Sequence, residues 1–434
     1  MNLKLRNLFV ALLCAGSSAL GAESSGPSPT NAVPLDALVA ETLEKNPELK
    51  FYEAEIATTK AGRKQAGLWS NPELSSSVGR KTARDRTSGL NGEGVAWSVS
   101  VVQPFEWPGR IGLRKAIANR DLELAQLGLE RFRKALASRV RDLGYSYFAA
   151  KEHAAVAREV ADRFKALREV LVQRDPAGIS PLLETRVIEA TELTMQRKAS
   201  DADVATQGAL LELNQLRGAA PDAQFAVAPA RLTFGPAESL QRLLTLARTN
   251  NFELRVRAVE LAQQGFRLEL AKNERFPSIS VGPTYTEETA LDRERTIGVG
   301  ISLPLPLWNR NSGNVATAKA RQMQAEVSLT VTQREVERKV VEATMTYESK
   351  VRQIGNWRSD AIEHFREAAE LADRHYRLGA VPVSTYVELQ REYLEAVESL
   401  LDTQKEALRA AQDIELLTGA RLPVRTTQGS NQQP

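Results

Sequence analysis

Three histidines and one cysteine are all the imidazole and thiol ligands that this 434-residue chain could offer a metal. His364 and His375 are eleven positions apart on one helical stretch, roughly 16 Å along the axis at ~1.5 Å per residue. That is too far to hold one ion together. His153 has no histidine at the matching place in the rest of the chain. No nucleophile-elbow pattern occurs, and "GEG" at 92–94 lacks the strand, glycine and helix context of a phosphate loop. The residues therefore point away from an enzyme, a bound cofactor or a resident metal, and toward a task carried by architecture.

Charge narrows the partners. The 57 basic and 54 acidic residues nearly cancel, so the pI of 8.8 reflects a small excess and gives no case for nucleic acid. At the N-terminus, Lys4 and Arg6 precede an apolar run over 8–15 and then "SSALGAE". This is the layout of a cleavable secretory signal over residues 1–21, with the cut after Gly21 or Ala22. The run is far shorter than the ~20 residues of a spanning helix. Cys14 is the single cysteine; read as a lipid-attachment site it fits poorly, because Leu12 and Leu13 are bulky where small residues are wanted. The processed chain would hold no thiol, so its stability must come from packing or assembly.

The elements that position everything else occur twice. "LDALVAETLEKNPEL" at 35–49 is matched by "LQRLLTLARTNNFEL" at 240–254, with Leu35/Leu240, Leu38/Leu243, Asn46/Asn251, Glu48/Glu253 and Leu49/Leu254 all 205 apart. Pro72/Pro277 and Ser75/Ser280 keep that offset; Pro104/Pro304 and Arg110/Arg310 take 200, and Leu216/Leu417 and Gly218/Gly419 take 201. Landmarks stay in order while loop lengths drift, the signature of tandem duplication. The repeats span 34–218 and 236–419, joined by a Pro- and Ala-rich linker over 219–235 and followed by a tail over 420–434.

Within each repeat the apolar period changes. Steps of three and four, from Leu122 through Leu136, Val140 and Tyr147 to Ala154, predict one coiled-coil helix over 109–173. The second repeat predicts the same over 313–377, with Val340, Ala343, Tyr347, Val351 and Ile354 on the seam. Each ends at a Gly/Pro break and returns as a second helix, over 181–217 and 383–418. Ahead of each long helix the period is two. Val95, Trp97, Val99 and Val101 alternate with small residues, as do Ile297, Val299, Ile301 and Leu303. Partner strands over 74–80 and 279–286, across polar loops at 81–94 and 287–295, make one hairpin per repeat.

Such hairpins could pack their apolar face inward on helices or turn it to lipid with Ser and Gly facing a wet lumen. The secretory signal, the lack of a transmembrane helix and the placement of Trp69, Trp97, Trp107 and Trp308 in or beside the strands favour lipid. Four strands cannot close a barrel, so several chains must: two copies give eight strands, three give twelve. Between strand and long helix lie "QPFEWPGR" at 103–110 and "LPLPLWNR" at 303–310. These are the predicted barrel-to-rod junctions, with Pro104 and Pro304 ending the ladder by removing donors, Pro108 just before the helix, and Trp107, Arg110, Trp308 and Arg310 beside them.

Duplicated halves, two strand hairpins, long helices with Gly-centred turns and the "LLTG" close at 416–419 together resemble the TolC-like outer-membrane factor family over nearly the whole processed chain. "QPFEWPGR" looks most like its heavy-metal cation branch, of cobalt-zinc-cadmium type. The resemblance implies a mainly α protein with four transmembrane strands per chain. It implies a homotrimer that joins a twelve-stranded β-barrel to an α-helical barrel, sits in the outer membrane and reaches through the periplasm. Partners would be outer-membrane lipid, a periplasmic adaptor (membrane fusion protein) and, through it, an inner-membrane RND-type pump.

By the same resemblance, Gly178, Ile179 and Ser180, with Leu378, Gly379, Ala380 and Val381, are the adaptor-docking tips. Glu184, Tyr376, Thr385 and Glu388 form the periplasmic gate, where threefold carboxylates would select cations. Thr385 replaces a usual aspartate, and Val381 stands where some members carry a gate arginine. The alternatives are a soluble periplasmic coiled-coil adaptor or spacer, with its strands buried against protein, and the same duct carrying drugs or exported proteins.

Overall fold

The computed structural model describes residues 33–86, 89, 91–174, 182–228, 231–358 and 360–427. The predicted signal and Cys14 lie outside the described residues. The first repeat runs α1 (Leu35–Lys45), α2 (Glu48–Ala66), β1 (Glu73–Arg84), β2 (Asn91–Phe105), α3 (Arg110–Arg174) and α4 (Leu182–Arg217). After β3 (Arg231–Phe234), the second repeat follows with α5 (Leu240–Asn250), α6 (Phe252–Asn273), β4 (Ile279–Thr289), β5 (Arg293–Ser302), α7 (Ser312–Asn356), α8 (Ala361–Arg377) and α9 (Val383–Thr418). A short β6 (Val424–Thr427) pairs antiparallel with β3, so linker and tail meet each other.

The repeated landmarks turn out to be structural clasps. Asn46 and Asn251 are both buried. The Asn46 side chain donates to the Leu216 carbonyl at 2.8 Å and accepts from the Glu48 amide at 2.9 Å. Asn251 donates to the Leu417 carbonyl at 3.0 Å and accepts from the amides of Glu253 and Leu254 at 3.0 and 3.2 Å. Each asparagine thus starts one helix and ties it to the end of another, satisfying orphan groups at both termini. Tyr147 and Tyr347 form a second matched pair, donating to the carbonyls of Phe225 at 3.0 Å and Gly235 at 2.7 Å. Burial pushes both phenols up, Tyr347 to about 12, so they remain donors at neutral pH.

Around these clasps lie matching cores. Leu38, Val140, Tyr145 and Leu213 pack in the first repeat, and Leu243, Val340, Tyr347 and Ile414 in the second. A third cluster, with Val160, Phe164, Ile188, Leu394 and Val397, joins the helical hairpins of the two repeats. The helices contact in the sequence α2, α3, α6, α7, so the repeats adjoin through α3 and α6.

α3 is continuous for 65 residues, roughly 98 Å, matching the expected helix over 109–173. The second long helix is not continuous: α7 ends at Asn356 and α8 begins at Ala361. Trp357 is extended, with φ −75° and ψ 127°. Gly355, Asn356 and Asp360 are weak helix formers within six positions. Asp360 draws in Arg358 at 3.2 Å and His364 at 2.9 Å, a local alternative to the helical ladder. Periodicity alone concealed this break because the apolar steps resume in phase.

The four-stranded sheet has the order β1-β2-β4-β5, all neighbours antiparallel. Its strands run past the expected ends, reaching Arg84, Asn91, Thr289 and Arg293, because the polar residues read as loop form cross-strand ion pairs. Arg80 pairs with Glu93, and Lys81 lies 3.1 Å from Glu294. Pro104 does not end the ladder: it lies inside β2, opposite Ser280 of β4. The β1 pairing has stopped by then, at Val102, so a residue without an N–H falls where β2 has one neighbour. Pro304 does follow the end of β5.

The contribution of the clasps is measurable by unfolding the detergent-solubilised protein. Asn251→Ala leaves the Leu417 carbonyl unmet and removes the cap, and should lower stability by about 2 kcal/mol. Asn251→Asp keeps the cap acceptor but not the donor and should lose about half as much. Equal losses would refute the two-ended role.

Candidate functional site

Two places bring sequence-predicted residues together, the helical tip and the strand-to-helix junctions. At the tip, α8 ends at a glycine in the left-handed region, Gly379, with φ 73°. The Gly379 amide donates to the Tyr376 carbonyl at 2.9 Å and the Ala380 amide to the His375 carbonyl at 2.8 Å, the paired bonds of a Schellman close. Leu378, Gly379 and Ala380 are exposed and Val381 is half-buried. Pro382, which cannot continue a helix, precedes α9. The other predicted tip residues, Gly178, Ile179 and Ser180, lie outside the described residues.

Just inside the tip, Tyr376 meets Glu184 across the two hairpins, its hydroxyl donating to Oε2 at 3.5 Å. That is the outer limit of a hydrogen bond, so the contact is a loose latch. Burial first, then the Glu184 charge, pushes the Tyr376 phenol up, and the hydroxyl stays protonated. The Tyr376 ring stacks on Tyr386 at 5.3 Å and 25°, and Tyr386 meets Phe164 edge-on at 5.2 Å. Tyr386 is fully buried, and burial pushes its phenol up as well. Below it, Arg163 donates to Gln390 at 3.3 Å, and Gln390 donates to the Ala369 carbonyl at 2.7 Å.

Sequence reading missed Tyr386, Arg163 and Gln390. Tyr386 and Tyr393 are seven residues apart on α9, a heptad spacing that marks a buried seam. Thr385 and Glu388, by contrast, are exposed, and among the described residues no hydrogen bond links them to Tyr376. One chain therefore assembles the tyrosine and Glu184 but leaves Thr385 and Glu388 facing outward.

The first junction is tightly tied. Arg110 donates from Nε to the Asn273 side chain at 3.1 Å, from Nη1 to Ser278 Oγ at 3.1 Å, and from Nη2 to the carbonyls of Asn273 and Phe276 at 3.3 and 2.6 Å. The Asn273 amide returns a bond to the Pro108 carbonyl at 2.9 Å, and Trp107 stacks on Phe276 at 4.7 Å and 14°. A planar guanidinium is suited to such a spread of acceptors, and here it locks the start of α3 in one repeat to the end of α6 in the other. Glu106 and Arg114 add a two-bond ion pair at 2.7 Å. The second junction differs: Trp308 and Arg310 are exposed. Asn311 takes a left-handed φ of 59°, and its side chain donates to the Ala271 carbonyl at 2.8 Å.

Between these ends, the sheet alternates large apolar side chains with small ones. Leu74, Val78, Val95, Trp97, Val101, Ile297, Val299 and Ile301 are exposed on one side, while Ser75, Ser77, Ser98, Ser100, Gly298 and Gly300 occupy the alternate positions. Among the described residues, each of the four strands has only other strands as a substantial neighbour. The apolar face is thus not packed on this chain's own described helices. No described helix is long and apolar enough to cross a membrane. Among the described residues no group of three His, Cys, Asp or Glu side chains is placed to hold a metal ion.

Comparison with known proteins agrees with this arrangement. The model of the family described as "Outer membrane efflux protein" matches residues 38–219 and 243–420, the two repeats. The cobalt-zinc-cadmium resistance protein CzcC of Cupriavidus metallidurans is 26% identical over 278 residues, 63% of this chain and 62% of the relative's length. Among solved structures, the CmeC outer membrane channel of Campylobacter jejuni superposes with a TM-score of 0.71 at 16% identity, covering 94% of each chain. A membrane protein from Pseudomonas aeruginosa gives 0.72 at 18% identity, covering 94% of this chain and 97% of its own. At such identities the structural likeness establishes the fold.

Replacing Arg110 tests the junction lock. Arg110→Ala should raise hydrogen exchange at the amides of residues 274–276 roughly tenfold, equivalent to about 1.4 kcal/mol. Arg110→Lys should come close to the same value, because one ammonium cannot span four acceptors. Unchanged exchange in both would show that Trp107 and Phe276 hold the junction without it.

Proposed function

The chain belongs to the outer membrane efflux protein family, and from that premise we propose that it is the outer-membrane duct of a tripartite efflux system. Three copies close the four-stranded sheets into a twelve-stranded barrel and line up their long helices as a tunnel through the periplasm. Substrate enters at the tips, from a periplasmic adaptor and an inner-membrane RND-type pump that supplies the energy, and leaves at the cell surface. A secretory signal over residues 1–21 directs export of the chain. The duct performs no chemistry on its cargo.

The observation that carries this reading is the unpacked apolar face of the sheet. Eight large apolar side chains, Leu74 to Ile301, stand exposed in alternation with serine and glycine. In water, a patch of this kind is an aggregation hazard. In a bilayer the same side chains meet lipid and the small polar ones line a wet passage.

The cargo we propose is heavy-metal cations, on the similarity to the cobalt-zinc-cadmium resistance protein and on the acidic side chains near the tip. Glu184 and Glu388 from three copies set carboxylates around a narrow axis, which favours cations as charge rings do in channels. The Tyr376 latch to Glu184 supplies a closed state, and Leu378, Gly379, Ala380 and Val381 offer the adaptor an exposed turn. In this reading the cation is cargo to be passed on.

Surface labelling tests the topology. Asp292 lies in the turn between β4 and β5, at the end of the sheet remote from the helical junctions. In a Cys14→Ser background, Asp292→Cys should react with a membrane-impermeant maleimide in intact cells, to the same extent as in lysed cells. Reaction only after lysis, with the outer membrane intact and the protein folded, would contradict the duct and favour a periplasmic location.

A further inference from the structure

The four-stranded sheet sorts its cations by face. It holds four arginines, Arg80 and Arg84 in β1 and Arg293 and Arg295 in β5, and strand alternation sets all four on the apolar side, with Val78, Trp97 and Ile297. All four lie at the end of the sheet remote from the helical junctions. Lys81, the one lysine of these strands, stands on the opposite side, paired with Glu288 and 3.1 Å from Glu294. On the apolar side the charges do not cancel, because only two carboxylates face the four guanidiniums. Glu93 pairs with Arg80, while Glu287 is held by Arg293, lies 3.4 Å from Arg295 and accepts from the Tyr285 hydroxyl at 2.8 Å. The side chains of Arg80, Arg293 and Arg295 remain 71%, 58% and 56% exposed, and Arg84 is exposed as well. Each guanidinium carries five N–H donors, more than two carboxylates can fill.

Position indicates what fills the rest. Trp97 stands opposite Val78 of β1 and Glu287 of β4, with its ring 5.2 Å from that of Tyr285. Such aromatic side chains are expected where acyl chains give way to headgroups. Arg80 is two residues beyond Val78, roughly 7 Å along the strand at ~3.4 Å per residue, and Arg295 and Arg293 step past Ile297 in the same direction. The apolar surface therefore ends in a collar of guanidinium groups. A molecule that covers both surfaces is an amphiphile with an apolar body and an anionic head. The planar guanidinium fork matches phosphate with two parallel N–H bonds, which an ammonium cannot offer.

Resting on the duct reading above, we propose that Arg80, Arg84, Arg293 and Arg295 bind the phosphate groups of anionic lipids in the outer leaflet, with the acyl chains of those lipids lying along Val78, Trp97 and Ile297. The adjoining apolar surface distinguishes this from a site for free phosphate, which would leave it uncovered. Lipid held there fixes the depth at which the sheet sits in the membrane, since the long arginine stems lie against acyl chains while their heads stay at the polar boundary.

The test uses the full chain reconstituted in phosphatidylcholine bilayers with a trace of chain-spin-labelled lipid, either phosphatidic acid, which carries a phosphate monoester, or phosphatidylcholine. Electron spin resonance separates lipid slowed by contact with the protein from lipid in the bulk. Phosphatidic acid should associate roughly fivefold more strongly than phosphatidylcholine, about the worth of one cation at a charged lipid surface. Arg84→Gln with Arg295→Gln leaves the Arg80–Glu93 and Arg293–Glu287 pairs in place and should reduce that preference about twofold. Changing all four arginines to glutamine should abolish it, and excess inorganic phosphate should leave it intact. Equal association of the two lipids with the unaltered chain, or a preference unchanged in both variants, overturns the arginine assignment and leaves the duct standing. Loss of the preference to inorganic phosphate overturns it in favour of a site for the free ion. No slowed lipid of either kind places the sheet outside the bilayer and overturns both.

Discussion

In hydrocarbon, a backbone N–H or C=O without a partner costs several kcal/mol, and this constraint governs the rest of the molecule. A four-stranded sheet with an apolar outer face has paired groups within and two open edges, β1 and β5. In the proposed duct it is complete only as part of a closed barrel. The long helices inherit the same incompleteness, since α7 and α2 end the row just as β5 and β1 end the sheet. In the proposed duct one operation, association of copies, satisfies the backbone at the sheet edges and covers the apolar flanks of the helices.

Duplication supplies the means. The repeat's buried positions recur in pairs: Leu136 with Val336, Val140 with Val340, and Tyr147 with Tyr347. The clasps by Asn46 and Asn251 recur down to their carbonyl partners. The two repeats therefore fold by the same local rules. Where the repeats diverge, function is the place to look. The broken second helix at Trp357 and the left-handed Asn311 both lie in the second repeat.

Much of this was legible in the residues. The offsets of 205, 200 and 201 located both repeats, and alternation located the hairpins, because burial of one face of a strand or helix leaves its period in the sequence. What escaped lacks a period. The stop at Asn356 depends on weak helix formers and on Asp360 finding Arg358 and His364, while the apolar steps continue through it. The strands run longer than alternation predicts because Lys81, Glu288 and Glu294 carry no strand signal apart from their cross-strand partners. Of the residues expected to form a gate, Tyr376 and Glu184 do meet, whereas Tyr386, which stacks on the tyrosine, is marked in the sequence only by heptad spacing. Thr385 and Glu388 are exposed and do not join that pair.

The central claim, that the apolar face of the sheet meets lipid, is open to a direct optical measurement. A variant keeping Trp97 as its single tryptophan, the other four replaced by phenylalanine, is reconstituted in bilayers whose acyl chains carry bromine. Trp97 projects from the exposed apolar side of β2 beside Tyr285, so its fluorescence should be strongly quenched by brominated chains and little affected by aqueous acrylamide. Quenching by acrylamide with no response to brominated lipid would place this face in water and contradict the account.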